Sequence, residues 1–298
     1  MSHDENGNIY WLASYPKSGN TWVRAFIADL RNEKPEGTQA GTMDINGIQT
    51  GSIAASRGWV QTAFDFDINE LSHDEVDRLR PEAYIWLSQQ MLSPEYHKIH
   101  DAYTTLADGR PLIPSGATRG VLYLVRNPLD VAVSLAHHNQ TSIDVAIDKM
   151  ANPVSTFSGH IKKMNIQLRQ HLLTWSAHVA SWQNAPLNVK FVRYEDMIYN
   201  PIPTFTGIAN FLALPNSEEA VRASVDACQF EKLKMQENDT VFKEKPQNAP
   251  CFFRKGQVGD WQSCLSVEQI DRVIRDHGEM MSTLGYLDEQ AQPMEQVS

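Results

Sequence analysis

The chain is poor in cysteine, with Cys228, Cys251 and Cys264 among 298 residues and no C-x-x-C pair. An odd count without such a pair points to reduced thiols in a cytoplasmic protein rather than a disulfide framework. Long apolar runs are missing as well, so no transmembrane helix and no membrane partner are expected. The opening Met1-Ser2-His3-Asp4-Glu5-Asn6 is polar and acidic and lacks the basic and apolar regions of a signal peptide. Positive charge is in deficit, with 26 Lys and Arg against 36 Asp and Glu and a net charge of −10. That argues against general nucleic-acid binding, which needs a broad basic surface, although a local basic cluster can still hold a small polyanion. Internal repeats and low-complexity tracts are absent. What remains is 42% apolar and 21% charged residues, enough for a sizeable core in one large domain or two small ones.

Against that background one stretch stands out, Tyr15-Pro16-Lys17-Ser18-Gly19-Asn20-Thr21-Trp22. Ile9 to Ser14 before it reads as a buried strand, and Val23 to Leu30 after it carries apolar residues at helical spacing. Strand, short glycine-containing turn and helix build an anion site, because the first N–H groups of a helix lack intrahelical acceptors. Ser18 and Thr21 add hydroxyl donors, Lys17 a mobile positive charge, and Gly19 close backbone approach. The stretch is not a Walker A loop, which places its Lys after a second Gly. Taken alone, it reads equally as a surface turn.

The rest of the chain alternates strands and helices. Residues 32–70 read as irregular, Gly37 to Arg57 most of all. Ser72 with Glu75 forms a capping box opening a helix that Pro81 ends early, and a second helix is expected over Ala83 to Met91. Tyr96 to His100 alternates like a short strand, so Lys98 and His100 project together while Ile99 faces inward. A cation beside an imidazole suits proton abstraction next to developing negative charge, though a solvated edge strand carries the same pattern. Gly120 to Val125 reads as a central parallel strand. Asn127 then serves as N-cap, Pro128 as N1 and Asp130 as N3 of a helix carrying Ser134. Arg126 and Ser134 can both face the crevice at the carboxyl ends of the strands. Residues 139–165 read as loose and polar. Leu168, Leu172, Trp175, Val179 and Trp182 form the stripe of a core helix. Val189 to Arg193 is a strand followed by Tyr194, and Phe205 to Leu212 is helical. Asn216 with Glu219 caps a further helix to about Cys228, Phe230 to Lys234 reads as a charged loop, and 236–250 as a flexible loop. Arg254-Lys255-Gly256 before Gly259 can wrap a phosphate. Ser266 with Gln269 caps the last helix, and the tail after Tyr286 is expected to be disordered.

Three anion-binding features in this order suit one nucleotide with phosphates at two positions. The chain resembles the cytosolic-type sulfotransferases that use 3′-phosphoadenosine 5′-phosphosulfate (PAPS). Tyr15 to Trp22 resembles the family's 5′-phosphosulfate loop, Arg126 to Ser134 its 3′-phosphate strand and helix, and Arg254 to Trp261 its C-terminal signature. The resemblance implies an α/β fold, a single P-loop-like three-layer domain over 1–298 with a central parallel sheet flanked by helices. It implies that Lys17, Ser18, Gly19, Asn20 and Thr21 hold the 5′-phosphosulfate, that Trp22 packs on the adenine, and that Arg126, Ser134, Arg254, Lys255 and Gly256 take the 3′-phosphate. Tyr194 matches a nucleotide-contacting Tyr, and Cys228, Gln229 and Phe230 align with an adenine-contacting Thr-Ser-Phe segment, of which Phe230 alone is retained. His100 matches the catalytic His of a Lys-Thr-His segment, here Lys98-Ile99-His100.

The reaction so implied is transfer of a sulfuryl group from PAPS to a hydroxyl, leaving PAP, with His100 as general base and with Lys17 and Lys98 neutralising developing charge. No metal is expected, since no carboxylate cluster for Mg²⁺ is visible. Small-molecule, sugar and natural-product acceptors stay open, their choice falling to mobile loops at about 32–70, 139–165 and 236–250. Trp59, Phe64 and Phe66 either line that pocket or pack the core. A nucleotide-dependent phosphotransferase and a PAPS- or PAP-binding module without catalysis are the alternatives. The family's dimerisation segment, Lys-x-x-x-Thr-Val-x-x-x-Glu, is degraded to Gln262, Ser266-Val267 and Asp271, which leaves the oligomeric state open.

Overall fold

A computed structural model of the chain describes residues 7–31, 44–48, 53–159, 167–240, 242–245 and 251–294. In chain order the elements are β1 (Ile9–Ser14), α1 (Asn20–Leu30), α2 (Arg57–Phe64), α3 (His73–Gln90), β2 (Glu95–Ile99), β3 (Thr118–Val125), α4 (Pro128–Asn139), α5 (Ile143–Ala151), β4 (Thr156–Phe157), β5 (Gln170–His171), α6 (Trp175–Gln183), β6 (Val189–Arg193), α7 (Tyr194–Tyr199), α8 (Pro201–Phe211), α9 (Glu218–Ala227), α10 (Phe230–Asp239), α11 (Trp261–Cys264) and α12 (Val267–Thr283). They gather into two compact units, one of Met1–Tyr15, Gly51–Tyr123 and Asn152–Phe191, the other of Pro16–Thr50, Leu124–Ala151 and Val192–Ser298.

The first unit is built on a parallel sheet in the order β2-β1-β3-β6, with β3 and β6 continuing into the second unit at their last residues. β1 pairs with β2 in parallel, from Ile9 opposite Glu95 to Ala13 opposite Ile99. Every residue of β1 is buried, which is why it reads as an unbroken apolar run rather than an alternating one. The fold is thus α/β with a central parallel sheet flanked by helices, as the resemblance implies. Within this unit α3 packs on β1 through Tyr84 against Trp11, ring centroids 5.2 Å apart, and α6 packs on β3 through Trp182 against Tyr123. Trp59 lies in the same aromatic cluster, Phe64 packs against a core of Ala55, Val60, Ile68, Val76, Ala83 and Leu168, and Phe66 is exposed.

The second unit packs α1 on α9, α4 on α5, α8 on α9, and α12 on α4 and α5. Arg272 of α12 ties to α5 through Asp144 at 2.6 Å and Asp148 at 2.5 Å. A further core joins Ala25, Ala28, Ile45, Cys228, Leu233, Phe242 and Phe253, with Trp22, Phe230 and Phe252 packed on it.

Several local expectations need correction. α3 runs through Pro81 without a break, its capping box at Ser72 and Glu75 intact. An interior proline costs about 3 kcal/mol. Beside it the fully buried Arg80 ties α3 to distant chain, bonding Asp101 at 2.7 Å and the Arg169 carbonyl at 3.0 Å, as well as the Tyr84 hydroxyl at 2.8 Å. Within 32–70, Arg57–Phe64 is helical, while 32–43 and 49–52 lie outside the described residues. Within 139–165, Ile143–Ala151 is a helix burying Ala146, Ile147 and Met150, a three-residue apolar face hidden among polar neighbours, and 160–166 lie outside the described residues. The Leu168-to-Trp182 stripe is buried throughout, but only Trp175–Gln183 is helical. Leu173 is left-handed at φ 57° and Thr174 caps the helix, so the turn cannot start earlier. Ser217, not Asn216, caps α9. Phe230 to Lys234 is the start of α10, anchored by the buried Leu233, with its charges on the outer face; 241 and 246–250 lie outside the described residues. Past Tyr286 the chain turns back, Leu287 bridging Pro293 and Met294 N–H reaching the Tyr286 carbonyl at 3.0 Å; 295–298 lie outside the described residues.

Candidate active site

The sheet order sets the carboxyl ends of β1 and β3 side by side, and the loops that follow both belong to the second unit. In the first loop Lys17 and Gly19 are both left-handed, at φ 73° and 95°. A non-glycine residue held there carries strain of order 1–3 kcal/mol, and such strain clusters at ligand clamps. Gly19 is the N-cap of α1 and has no side-chain oxygen to cap the first N–H groups. Ser18 is fully buried, and its Oγ has no hydrogen-bond partner among the described residues. Asn20 is buried, and Thr21 and Lys17 are half-buried.

Arg126 closes on this turn from the end of β3. Its Nη1 reaches the Lys17 carbonyl at 3.4 Å, and its Nη2 donates to the Gln257 carbonyl at 2.8 Å. The guanidinium lies over the Tyr194 ring, 4.3 Å from the centroid, while its buried Nε has no partner among the described residues. Asn127 and Pro128 start α4 as the sequence predicts, and Ser134 lies half-buried along the helix. The segment carrying Gly256 is fastened here by Asp130, whose carboxylate accepts from Gly259 N–H at 2.9 Å and Trp261 N–H at 3.1 Å. Arg254 and Lys255 both bond Asp260, Lys255 at 2.6 Å. Burial pushes the Asp260 carboxyl up, but hydrogen bonds from Lys255 and Arg254 prevail and hold it below its ordinary value.

An aromatic wall completes the second unit's site. Trp22 meets Tyr194 and Phe205 edge-on, and its buried Nε1 has no partner among the described residues. Phe230 packs so closely over Gly256 that a Cβ there would fall 2.2 Å from its ring. Cys228 is placed differently, fully buried in the core beside Ala25 and Leu233.

His100 and Lys98 lie in the first unit. β2 is not a solvated edge, since Ile53 bridges Lys98 and Ala54 N–H reaches the Lys98 carbonyl at 2.8 Å. Ile99 is fully buried and Lys98 half-buried. His100 follows the strand and is 9% exposed. Its Nδ1 lies 2.8 Å from the Ser14 carbonyl. A carbonyl only accepts, so Nδ1 carries the proton and Nε2 the lone pair, the tautomer a general base needs. The main chain behind it is pinned by His178, whose Nε2 reaches the His100 carbonyl at 3.1 Å and whose Nδ1 meets Tyr123 Oη at 2.8 Å. Complete burial lowers His178 to about 4, so its ring stays neutral. Trp182 Nε1 holds the next carbonyl, of Asp101, at 3.1 Å.

A model of the sulfotransferase domain matches residues 9–285, nearly the whole chain. The chain belongs to the sulfotransferase family. Its relatives include cytosolic sulfotransferase 17 of Arabidopsis thaliana, 25% identical over 94% of this chain and 76% of the relative. Flavonol 3-sulfotransferase of Flaveria bidentis is 24% identical over 93% and 83%. Among solved structures, a mouse sulfotransferase complexed with PAP superposes with a TM-score of 0.56 at 19% identity, covering 94% of this chain and 85% of the other. Retinol dehydratase with retinol and PAP gives 0.59 at 19%, covering 93% and 82%.

In this sulfotransferase the second unit joins Arg126 to the Lys17 and Gln257 carbonyls and the Tyr194 ring, Tyr194 to Trp22, and Phe230 to Gly256, sets Arg254 and Lys255 on Asp260, and leaves Cys228 in the core. Sequence reading passed over Asp130 as an anchor, Asp260 as the shared acceptor and Ser14 as the His100 partner. Asp130 stands four residues after Arg126, 3.5 Å from its guanidinium, and Asp260 five after Lys255, 2.6 Å from its ammonium, outside any one helix whose spacing would have foretold the pairs. Ser14 meets His100 Nδ1 through its carbonyl at 2.8 Å and its Oγ at 3.3 Å, a pairing of positions 86 apart that no local pattern shows. Among the described residues no helix is long and apolar enough to cross a membrane, and no three His, Cys, Asp or Glu side chains gather to hold a metal ion.

Proposed function

We propose that this sulfotransferase moves the sulfuryl group of PAPS to the hydroxyl of a small-molecule acceptor, in the cytoplasm. The observation that carries the reading is the buried Ser18 Oγ, without a hydrogen-bond partner among the described residues, in a turn left-handed at Lys17 and Gly19 and in the same unit as Arg126, Arg254 and Lys255. PAPS is anionic at two separated positions of its ribose and carries an aromatic base at a third. The donors fit it: a helix N-terminus with Ser18 and Lys17 for one end, Arg126, Ser134, Arg254, Lys255 and the Gly256 backbone for the other, and Trp22 and Phe230 for the base. Names of relatives and complexes, a flavonol sulfotransferase and a retinol complex, favour hydroxyl-bearing small molecules as acceptors.

When bound, PAPS supplies a sulfuryl group attached to a phosphate leaving oxygen. His100 Nε2 takes the proton of the acceptor hydroxyl as the new O–S bond forms and the old S–O bond to the 5′-phosphate breaks, leaving PAP. Such base catalysis is worth about 10²–10⁴-fold. Lys17, with the first turn of α1, neutralises charge gathering on the leaving oxygen, and Lys98 charge on the transferred group. His100 works only as neutral imidazole, so turnover falls on the acid side. Screening hydroxyl acceptors with sulfur-labelled PAPS tests the reading. Labelled product from the wild type, together with its loss in a His100→Ala variant that still binds PAP, is expected. Full turnover by that variant removes His100 as the base, and transfer that depends on ATP and Mg²⁺ instead overturns the reading.

A further inference from the structure

Ser134 and His138 are four residues apart on α4 and share one face of the helix. The reading above uses Ser134 and gives His138 nothing to do. Yet His138 Nδ1 lies 3.4 Å from Lys17 Nζ. An ammonium has three donors and no acceptor, so the imidazole nitrogen is the acceptor, with the ring proton on Nε2. Phe252 closes the group, its ring centroid 4.6 Å from Lys17 Nζ and meeting the His138 ring edge-on at 6.3 Å. The left-handed backbone at Lys17, φ 73°, fixes where its stem departs. Charged groups near this cluster include, among the described residues, His137 on the same turn of α4 and Arg254 on the segment before α11. Burial, then Arg254 and Lys17, hold His137 below its ordinary value, so the cations here already repel a charged ring.

We propose that His138 is a positioning residue for Lys17, its Nδ1 lone pair and the Phe252 face orienting the ammonium toward the transferred group. What Lys17 then touches rests on the PAPS reading; the Lys17–His138 contact does not. A bare surface histidine at this position would titrate without regard to Lys17. A lone pair receiving an ammonium must give up that bond and face a like charge when it protonates.

The test is a nitrogen-15 NMR titration of the imidazoles in the wild type and in Lys17→Met. The expected result is a His138 midpoint lower by about one pH unit or more in the wild type. The same midpoint in both proteins overturns the proposal. Turnover with the acceptor from the PAPS screen adds a second reading. His138→Phe should lose about tenfold in kcat with KM for PAPS within about threefold, and His138→Gln, whose amide oxygen can accept from the ammonium, should recover most of it. Equal loss in both variants, or a change confined to the acceptor KM, overturns the positioning role. PAP added to the same NMR samples separates the two claims. If PAP perturbs no resonance while the Lys17-dependent midpoint persists, the PAPS reading fails and the Lys17–His138 contact stands.

Discussion

At Gly19 an added Cβ would lie 2.7 Å from Tyr194 Cδ2 and 2.9 Å from Met197 Cε, on a backbone at φ 95° that side chains rarely adopt. Gly19→Ala is therefore expected to lower stability by about 1–3 kcal/mol and PAP affinity at least about tenfold, because the turn has to shift. Urea unfolding and calorimetric PAP titration measure the two effects, and wild-type values in both would show the crowding to be harmless. His178 gives a pH effect with a definite sign. Its folded value is about 4 against an ordinary 6.5, so between those pH values the unfolded chain binds a proton that the native ring refuses. Stability falls as pH drops through that window, by up to about 3 kcal/mol from this ring. His277, lowered by burial to about 4, adds in the same direction. Unfolding by urea at pH 7 and pH 4.5 should show a smaller pH loss in His178→Phe than in the wild type; equal losses count against it.

Among the elements, α4 does the most for the site. Its first turn is spelled out by Asn127-Pro128, and its Asp130 carboxylate fastens the Gly259–Trp261 backbone. Asp130→Ala leaves those N–H groups without their acceptor and releases the segment carrying Arg254 to Gly256. The expected outcome is PAP affinity down by about tenfold or more with adenosine 5′-phosphate affinity little changed, read by calorimetry. Equal losses for both nucleotides would place the defect elsewhere. Legibility follows physical cause at this scale. β1, β3 and the capping boxes of α3 and α12 were legible because an apolar run or a Ser-x-x-Glu/Gln pattern is written locally. α5 and α10 were not, because each shows one narrow apolar face among charges, and what stabilises it is the neighbour it packs on. α3 runs through Pro81 against the proline rule, and its buried Arg80 is held by Asp101 and Arg169, partners that lie far along the chain.

At the scale of the whole molecule, the family match crosses both units; the first holds the His100 imidazole in a fixed tautomer, and the second gathers Arg126, Tyr194 and Trp22. The cations and glycines of the candidate site were legible because phosphate chemistry needs those residue types at short spacings. The carboxylates and carbonyls that aim them were not, since Asp260, Asp130 and the Gln257 carbonyl act only once the chain is folded. The account stands on a grip at two separate phosphate positions. Calorimetric titration of the wild type with PAP and with adenosine 5′-phosphate, which lacks the 3′-phosphate, tests it most directly. PAP should bind about a hundredfold tighter, and Arg126→Ala and Lys255→Ala should each remove most of that preference. Equal affinity for the two nucleotides in the wild type would contradict it.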